Sequence, residues 1–285
     1  MHCAELSDRD FRRFSALVYG KCGIELHAGK KALVRARLSK RLRERGFESF
    51  RAYYQFVTKD DSGDELVRML DAISTNLTSF FREERHFDFL KKTVFPSWMA
   101  GNGRYQRIRV WSAGCSSGEE PYSLAICMKE YFGDFLPNDT KILATDISTQ
   151  VLARARSGIY AGERLDKIPA AMLRKYFQKG YGNQEGNFRV KQPVRDMISF
   201  QRLNLMEPFC FQDPFAFIFC RNVMIYFNKQ TQEELVNKFY DCLADGGYLI
   251  IGHSESLTGI ANGFRYVQPT IYQKEGKRGT HGIRS

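Results

Sequence analysis

The sequence predicts an α/β chain: a small all-α unit over residues 1–74, a linker at 75–90, and an α/β domain over 91–285 interrupted by a small antiparallel β insertion at about 160–203. Three observations carry this. Up to residue 74, apolar residues recur at helical spacing without strand-like alternation. From Arg107, short apolar runs alternate with helical patterns, as in a parallel sheet whose crevice lies at the strand C-termini. Within that second part, RVWSAGCSSGEEPYSLA (109–125) passes from an apolar strand through a run of small residues into a helix opening at Glu119-Glu120-Pro121.

The elements follow in order. Phe11, Phe14, Leu17 and Val18 place a first helix behind the cap Leu6-Ser7-Asp8. A second helix spans 30–45, with Val34, Leu38 and Leu42 on one stripe and Gly46 as its stop. Short helices are expected at 49–58 and 64–73. TNLTSFFRE (75–83) joins the two parts and, on its own, reads as a capped linker helix anchored by Phe80-Phe81. RIRVWSA is a strand, 121–132 a helix, KILATDIS a second strand and 148–156 another helix. Residues 160–203 break this rhythm. Gly180-Tyr181-Gly182, Gly186 and the strand-like runs 188–190 and 197–200 read as the antiparallel insertion. The strand PFAFIFCRN, a helix over 229–243 and a strand over 247–252 complete the domain, and the tail from Glu275 is expected to fray.

Composition narrows the class. At 285 residues, with 43% hydrophobic and 14% aromatic residues, the chain can bury a large core, which excludes wholesale disorder. No apolar run approaches the roughly 20 residues that span a bilayer, and Met1-His2-Cys3-Ala4-Glu5 has no signal pattern. Seven cysteines without metal-type spacing suit reduced thiols in a cytoplasm. The five histidines are too dispersed along the chain for a metal cluster, and His253, at a strand end, reads as structural. The net charge of +11 admits nucleic acid, anionic membrane or an acidic protein as partner. Its distribution is more informative: residues 30–45 hold eight basic residues and one acid, Glu44.

The small residues of the glycine turn let backbone approach a nucleotide-like ligand, and the helix that follows offers unpaired N–H groups. Acids at that mouth would repel a pyrophosphate but suit ribose hydroxyls and a sulfonium. The turn therefore favours S-adenosylmethionine over a dinucleotide. Asp146 ends the next strand, about 28 residues after Gly118, placed to accept from ribose hydroxyls or else to cap the helix at Ser148. Arg221 and Asn222 lie at the crevice lip after a buried strand. Tyr226 beyond them suits a sulfonium neighbour, or equally a half-buried core position. Cys220 has no acid–base partner and reads as core. Asn76 and Thr78 are hydrogen-bonders, and Arg82 suits a carboxylate.

Taken together, TNLTSFFRE, RVWSAGCSSGEEPYSLA, ATDIS, RSGIY, FCRNVMIYF and GHSESL, in this order and with the LSDRDFRRF opening, closely resemble the CheR family of chemotaxis receptor glutamate O-methyltransferases. The resemblance covers nearly the whole chain. It implies a helical N-terminal domain, a linker, and a Rossmann-like S-adenosylmethionine-dependent methyltransferase domain with an inserted β-subdomain. It implies that Asn76, Thr78, Arg82, Glu120, Asp146, Asn204, Leu205, Arg221 and Asn222 surround the cofactor, with Arg82 and Tyr226 nearest the reacting centre. It makes the basic helix a docking surface for the receptor's cytoplasmic helices, through Arg37, Lys40, Arg41 and Arg43. Gly180 and Gly182 resemble the GxG turn of members that tether to a receptor C-terminal peptide, although hairpin glycines also have their own reason in positive φ.

The reaction so implied is methyl transfer to a receptor glutamate, giving a methyl ester and S-adenosylhomocysteine. A glutamate with a reference pKa of about 4.3 is ionised at neutral pH, so no general base is required. The expected protein is a cytoplasmic monomer that neither inserts in a membrane nor binds nucleic acid. Two rivals stand beside it. A nucleic-acid methyltransferase fits the charge, but no Asp/Asn-Pro-Pro-aromatic or Pro-Cys motif is present. A non-catalytic receptor-binding adaptor is opposed by the retained Asp146, Arg221, Asn222 and Tyr226.

Overall fold

A computed structural model describes residues 5–74, 76–100 and 107–276. Thr75, the N-terminal His2 and Cys3, and the tail from residue 277 with His281 lie outside the described residues.

Helix α1 (Asp8–Cys22) starts where the Ser7 side chain accepts from the Asp10 N–H and stops at Gly23, with φ 71°. Helix α2 (Lys31–Arg45) stops at Gly46 in the same left-handed conformation. Helices α3 (Phe50–Lys59) and α4 (Asp64–Ile73) close the unit. Their inward stripes meet in one cluster that includes Phe14, Val34, Leu38, Tyr53 and Met69. Residues 76–83 form no helix, contrary to the capped-helix expectation, because the chain is pinned there to the second domain by contacts described below. Helix α5 (Glu84–Phe89) then passes through a π-helical turn, Leu90–Val94, into α6 (Phe95–Ala100).

The second domain runs β1 (Arg109–Ala113), α7 (Glu119–Phe132), β2 (Lys141–Asp146), α8 (Thr149–Ser157), β3 (Ile159–Ala161), α9 (Ala170–Tyr176), β4 (Phe177–Lys179), β5 (Asn187–Val190), α10 (Gln192–Arg195), β6 (Ile198–Arg202), β7 (Phe215–Cys220), α11 (Lys229–Cys242), β8 (Leu243–Ile251), β9 (Phe264–Gln268) and β10 (Ile271–Lys274). The main sheet has the order β6-β2-β1-β7-β8-β10-β9. The first five strands are parallel, and β10 and β9 add an antiparallel edge. The sheet is thus mixed where strand–helix alternation alone implied a parallel one. β1, β2 and β7 are buried along nearly their whole length, as strands covered on both faces must be.

One element departs from expectation. The run read as the second strand of the insertion is β6, which pairs parallel with β2, Ile142 opposite Ile198 and Asp146 opposite Arg202. The insertion sheet is β3-β5-β4, and its strands end at Val190. Ile198 and Phe200 pack against the main core, a burial that single-strand alternation cannot assign to one sheet or the other. Chain order reverses between β1 and β7: β2 and β6 lie on one side of β1, β7 and β8 on the other. A crevice opens at such a switch point. No helix among the described residues is long and apolar enough to cross a membrane.

Candidate functional site

At the C-terminal ends of β1, β2 and β7 lies a cavity open to solvent. Asn76, Thr78, Arg82, Glu120, Asp146, Asn204, Leu205, Arg221, Asn222 and Tyr226 all line it. The sequence-predicted residues, scattered over 150 positions, are thus brought to one place. Gly180, Gly182 and the four docking candidates Arg37, Lys40, Arg41 and Arg43 lie elsewhere.

The floor is the turn after β1. The N–H groups of Gly114 and Cys115 both donate to the Thr145 carbonyl at 2.8 Å. Gly114 has φ +80°, and a Cβ there would collide with the side chain of Val223, so this position requires glycine. The Ser116 N–H donates to Asp146 Oδ2 at 2.8 Å, and the Ser148 N–H donates to Oδ1 at 2.9 Å. Asp146 therefore both shapes the turn and steadies the start of α8 while lining the cavity. Burial raises its pKa, opposed by these N–H groups.

The wall is a buried ion pair. Glu120 accepts from Ser112 Oγ at 2.7 Å and from Arg221 Nε at 2.7 Å. The guanidinium of Arg221 lies 5.1 Å from the Phe219 ring and 5.7 Å from the Phe87 ring. Its Nη1 donates to the Arg82 carbonyl at 2.6 Å and to His86 Nδ1 at 3.2 Å, with Glu83 Oε2 at 3.4 Å. The next residue, Asn222, has φ 59°. Its loop is held by Glu255, whose carboxylate accepts from the N–H groups of Gly252 (2.6 Å), Asn222 (2.9 Å) and Ile225 (3.2 Å). Glu255, in the GHSESL segment, was missed by sequence reasoning; it is buried in the fold, which no local pattern around it signals.

The linker forms the lid side. Phe80 is buried edge-on to Tyr160 and Phe177, at 5.0 and 5.5 Å. The Phe81 N–H donates to Ser123 Oγ at 2.9 Å, and Ser116 Oγ donates to the Asn76 carbonyl at 3.0 Å. Arg82 Nη1 donates to the Leu77 carbonyl at 2.7 Å, which turns the guanidinium toward the linker.

The N-terminal domain also contributes, which the motifs did not indicate. Cys22, Ile24, Leu26, Lys30, Leu33 and Ile73 line the cavity. Lys30 Nζ lies 4.9 Å from the Tyr226 ring, the Glu25 N–H donates to the Tyr226 carbonyl, and Asn204 Nδ2 donates to the Lys21 carbonyl at 2.7 Å. Cys22 is driven up to about 11 by burial, so it is a thiol at neutral pH.

The four docking candidates divide. Lys40 and Arg43 are exposed. Arg41 Nη2 is bonded at 2.5 Å to Glu65, a buried carboxylate that also accepts from Tyr53 Oη at 3.0 Å. Arg37 donates to the carbonyls of Ile73 and Ser74. In the insertion, Gly180 has no room for a side chain, since a Cβ would strike the Gln184 carbonyl. Gly182 has φ +57°, and Tyr181 between them is 80% exposed. Glu119, next to Glu120, faces away from the cavity: Arg164 of the insertion bonds it at 2.5 Å and Ser117 Oγ donates to it at 2.7 Å.

Known proteins bear on this geometry. The CheR methyltransferase all-alpha domain matches residues 9–74, and the CheR methyltransferase SAM binding domain matches 76–273. The chain belongs to the CheR methyltransferase family. It is 44% identical over 269 residues to the chemotaxis protein methyltransferase of Borreliella burgdorferi, covering 93% of this chain and 94% of that protein. It is 40% identical over 268 residues to the chemotaxis protein methyltransferase of Salmonella typhimurium, covering 94% and 90%. With chemotaxis protein methyltransferase 2 of Pseudomonas aeruginosa it shares 38% identity over 264 residues, 92% of each chain. This CheR-family protein is an S-adenosylmethionine-dependent methyltransferase.

The residues present fit that cofactor. Asp146 and Glu120 are acceptors suited to hydroxyls and to a cation. Ile147, Leu203 and Leu205 give an apolar side suited to a purine, and the lining residues include no run of basic side chains for a pyrophosphate.

Proposed function

We propose that this CheR-family protein methylates glutamate side chains on the cytoplasmic helices of chemotaxis receptors, giving glutamyl methyl esters. S-adenosylmethionine, when bound, supplies a methyl group activated on its sulfonium, the sulfur departing as the neutral thioether of S-adenosylhomocysteine. In this reading Asp146 accepts from the ribose hydroxyls, Asn204 and Leu205 border the adenine, and Asn76, Thr78 and Asn222 hydrogen-bond the remaining polar atoms. Arg82 and Tyr226 orient the methionine end and the incoming carboxylate. Arg221 holds both Glu120 and the Arg82 backbone in place.

The observation that favours a carboxylate acceptor is that the lining offers no histidine, thiolate or unengaged carboxylate to act as a general base. Among the described residues the cavity has no histidine, its cysteine is a protonated thiol, and the Glu120 and Asp146 oxygens are engaged by protein donors. An amine or hydroxyl acceptor would need its proton removed; an ionised glutamate would not. Rate enhancement then rests on in-line approach and on desolvating the two charges. The exposed Lys40 and Arg43 on α2 supply positive charge for an acidic helix, and Gly180-Tyr181-Gly182 supplies a turn for a receptor tail peptide. The test is to mix the protein with methyl-labelled S-adenosylmethionine and receptor cytoplasmic fragments. Base-labile methyl esters on glutamate are expected; label that survives base, or none with any fragment, refutes the assignment.

A further inference from the structure

Glu83, His86 and His253 bring their donor atoms within 4.8 Å of one another, closer than their spread along the sequence implied. A metal ion there would meet Arg221, whose guanidinium occupies the same lone pairs on His86 Nδ1 and Glu83 Oε2. The group is instead a hydrogen-bond chain whose protons can be assigned. A guanidinium only donates, so Nδ1 of His86 must be bare and the ring proton sits on Nε2. Nε2 lies 2.7 Å from Thr270 Oγ1, and that hydroxyl donates onward to the Pro269 carbonyl at 2.5 Å.

A competing arrangement exists. Glu83 Oε2 lies 3.4 Å from Nδ1 and would accept a proton placed there. A buried N–H without an acceptor is costly, so a ring lacking a partner at Nε2 gains by moving its proton to Nδ1. That proton would then oppose the Arg221 donor. The ring is neutral in either form: burial, then Arg221 and His253, hold its pKa down to about 3.

We propose that Thr270 is a positioning residue for methyl transfer: by accepting from Nε2 it fixes the tautomer of His86, and through it the place of Arg221 beside Glu120 and the Arg82 carbonyl. Thr270 lies in the turn between β9 and β10, at φ 67° and buried, outside the lining of the cavity. The proposal rests on the reading that the cavity holds the cofactor.

Thr270→Val and Thr270→Ser test it, with S-adenosylhomocysteine as the calorimetric probe and nitrogen-15 NMR of the His86 ring as the tautomer readout. The wild-type ring should carry its proton on Nε2. Thr270→Val should move it to Nδ1 and weaken S-adenosylhomocysteine about tenfold, the loss of one charge-assisted hydrogen bond. Thr270→Ser should keep the wild-type tautomer and stay within about twofold in affinity. A wild-type proton on Nδ1, or a folded Thr270→Val with wild-type affinity, overturns the proposal. If the valine variant does not fold, the wild-type spectrum and Thr270→Ala decide it in the same way. A wild-type protein that binds no S-adenosylhomocysteine would overturn the cavity assignment instead, a failure the ring spectrum distinguishes.

Discussion

Replacing Arg221 with methionine should destabilise the fold before any question of catalysis arises. Only 2% of the Arg221 side chain and 9% of the Glu120 side chain are exposed, with Nε and Oε2 2.7 Å apart. Methionine fills much of the aliphatic stem but leaves the Glu120 carboxylate with the Ser112 hydroxyl alone, and strips the Arg82 carbonyl of its donor. Breaking a buried pair from one side costs about 3–5 kcal/mol, because the remaining charge stays desolvated. In urea unfolding followed by tryptophan fluorescence, Arg221→Met should lose that amount through a lower midpoint at unchanged slope. Glu120→Gln removes the charge that makes the loss large. The double variant should therefore be about 1–3 kcal/mol more stable than the sum of the single losses predicts. A single-variant loss under about 1 kcal/mol, or strict additivity, would refute the account of this wall as one coupled unit.

Other consequences follow from the same structure. Asp146→Ala should weaken S-adenosylhomocysteine by about 1.5–3 kcal/mol in calorimetry, the worth of a hydrogen bond to a charged group; unchanged affinity would remove Asp146 from the cofactor contacts. Lys40→Glu with Arg43→Glu should reduce receptor methylation and spare S-adenosylhomocysteine affinity, whereas Arg41→Glu should cost about 2 kcal/mol or more in chemical unfolding by facing the buried Glu65. Equal effects of the two changes on stability would contradict that division. His86, held down to about 3 from an ordinary 6.5, is neutral when folded while the unfolded chain takes up a proton below 6.5. Its contribution is complete above that value and is lost as pH falls toward 3, at about 1.4 kcal/mol per pH unit. Urea midpoints of the wild type and of His86→Gln at pH 7, 6 and 5 check this, since the variant should lose that increment of slope. Gly180→Ala should distort the hairpin and weaken a receptor tail peptide while leaving the cofactor site intact, read by peptide titration.

The parts legible in the sequence are those whose cause is local. The small-residue turn after β1, the acid ending β2 and the polar pair ending β7 each follow directly on an apolar strand, so their place at a crevice could be argued from a few neighbouring residues. What was not legible depends on distance. His86 meets Thr270 across 184 positions, and Glu255 finds two of its three N–H partners, Asn222 and Ile225, only once β7 and β8 lie side by side. Nothing in the residues from Cys22 to Lys30 marks them as lining a cavity built mainly by the other domain. The charge run on α2 was visible as composition, but Arg41 and Arg43 differ only in which face of the helix they occupy, and that is decided by where Glu65 is buried. The run 198–202 has the same appearance in either sheet; its pairing with β2 settled it.

Glu119 and Glu120 are consecutive, yet one is bonded to Arg164 of the insertion and the other to Arg221 of the cavity. Tyr160 at the base of the insertion also donates to the Ser117 carbonyl in the glycine turn, at 2.7 Å. The insertion is therefore bolted to the same half-turn of chain that forms the floor of the site, rather than carried on a swinging arm. A receptor tail peptide bound there, as proposed above, would be held at a constant reach from the methyl donor. In that proposed arrangement any slack between anchorage and target would come from the receptor's own chain, whose length would set how often the target arrives.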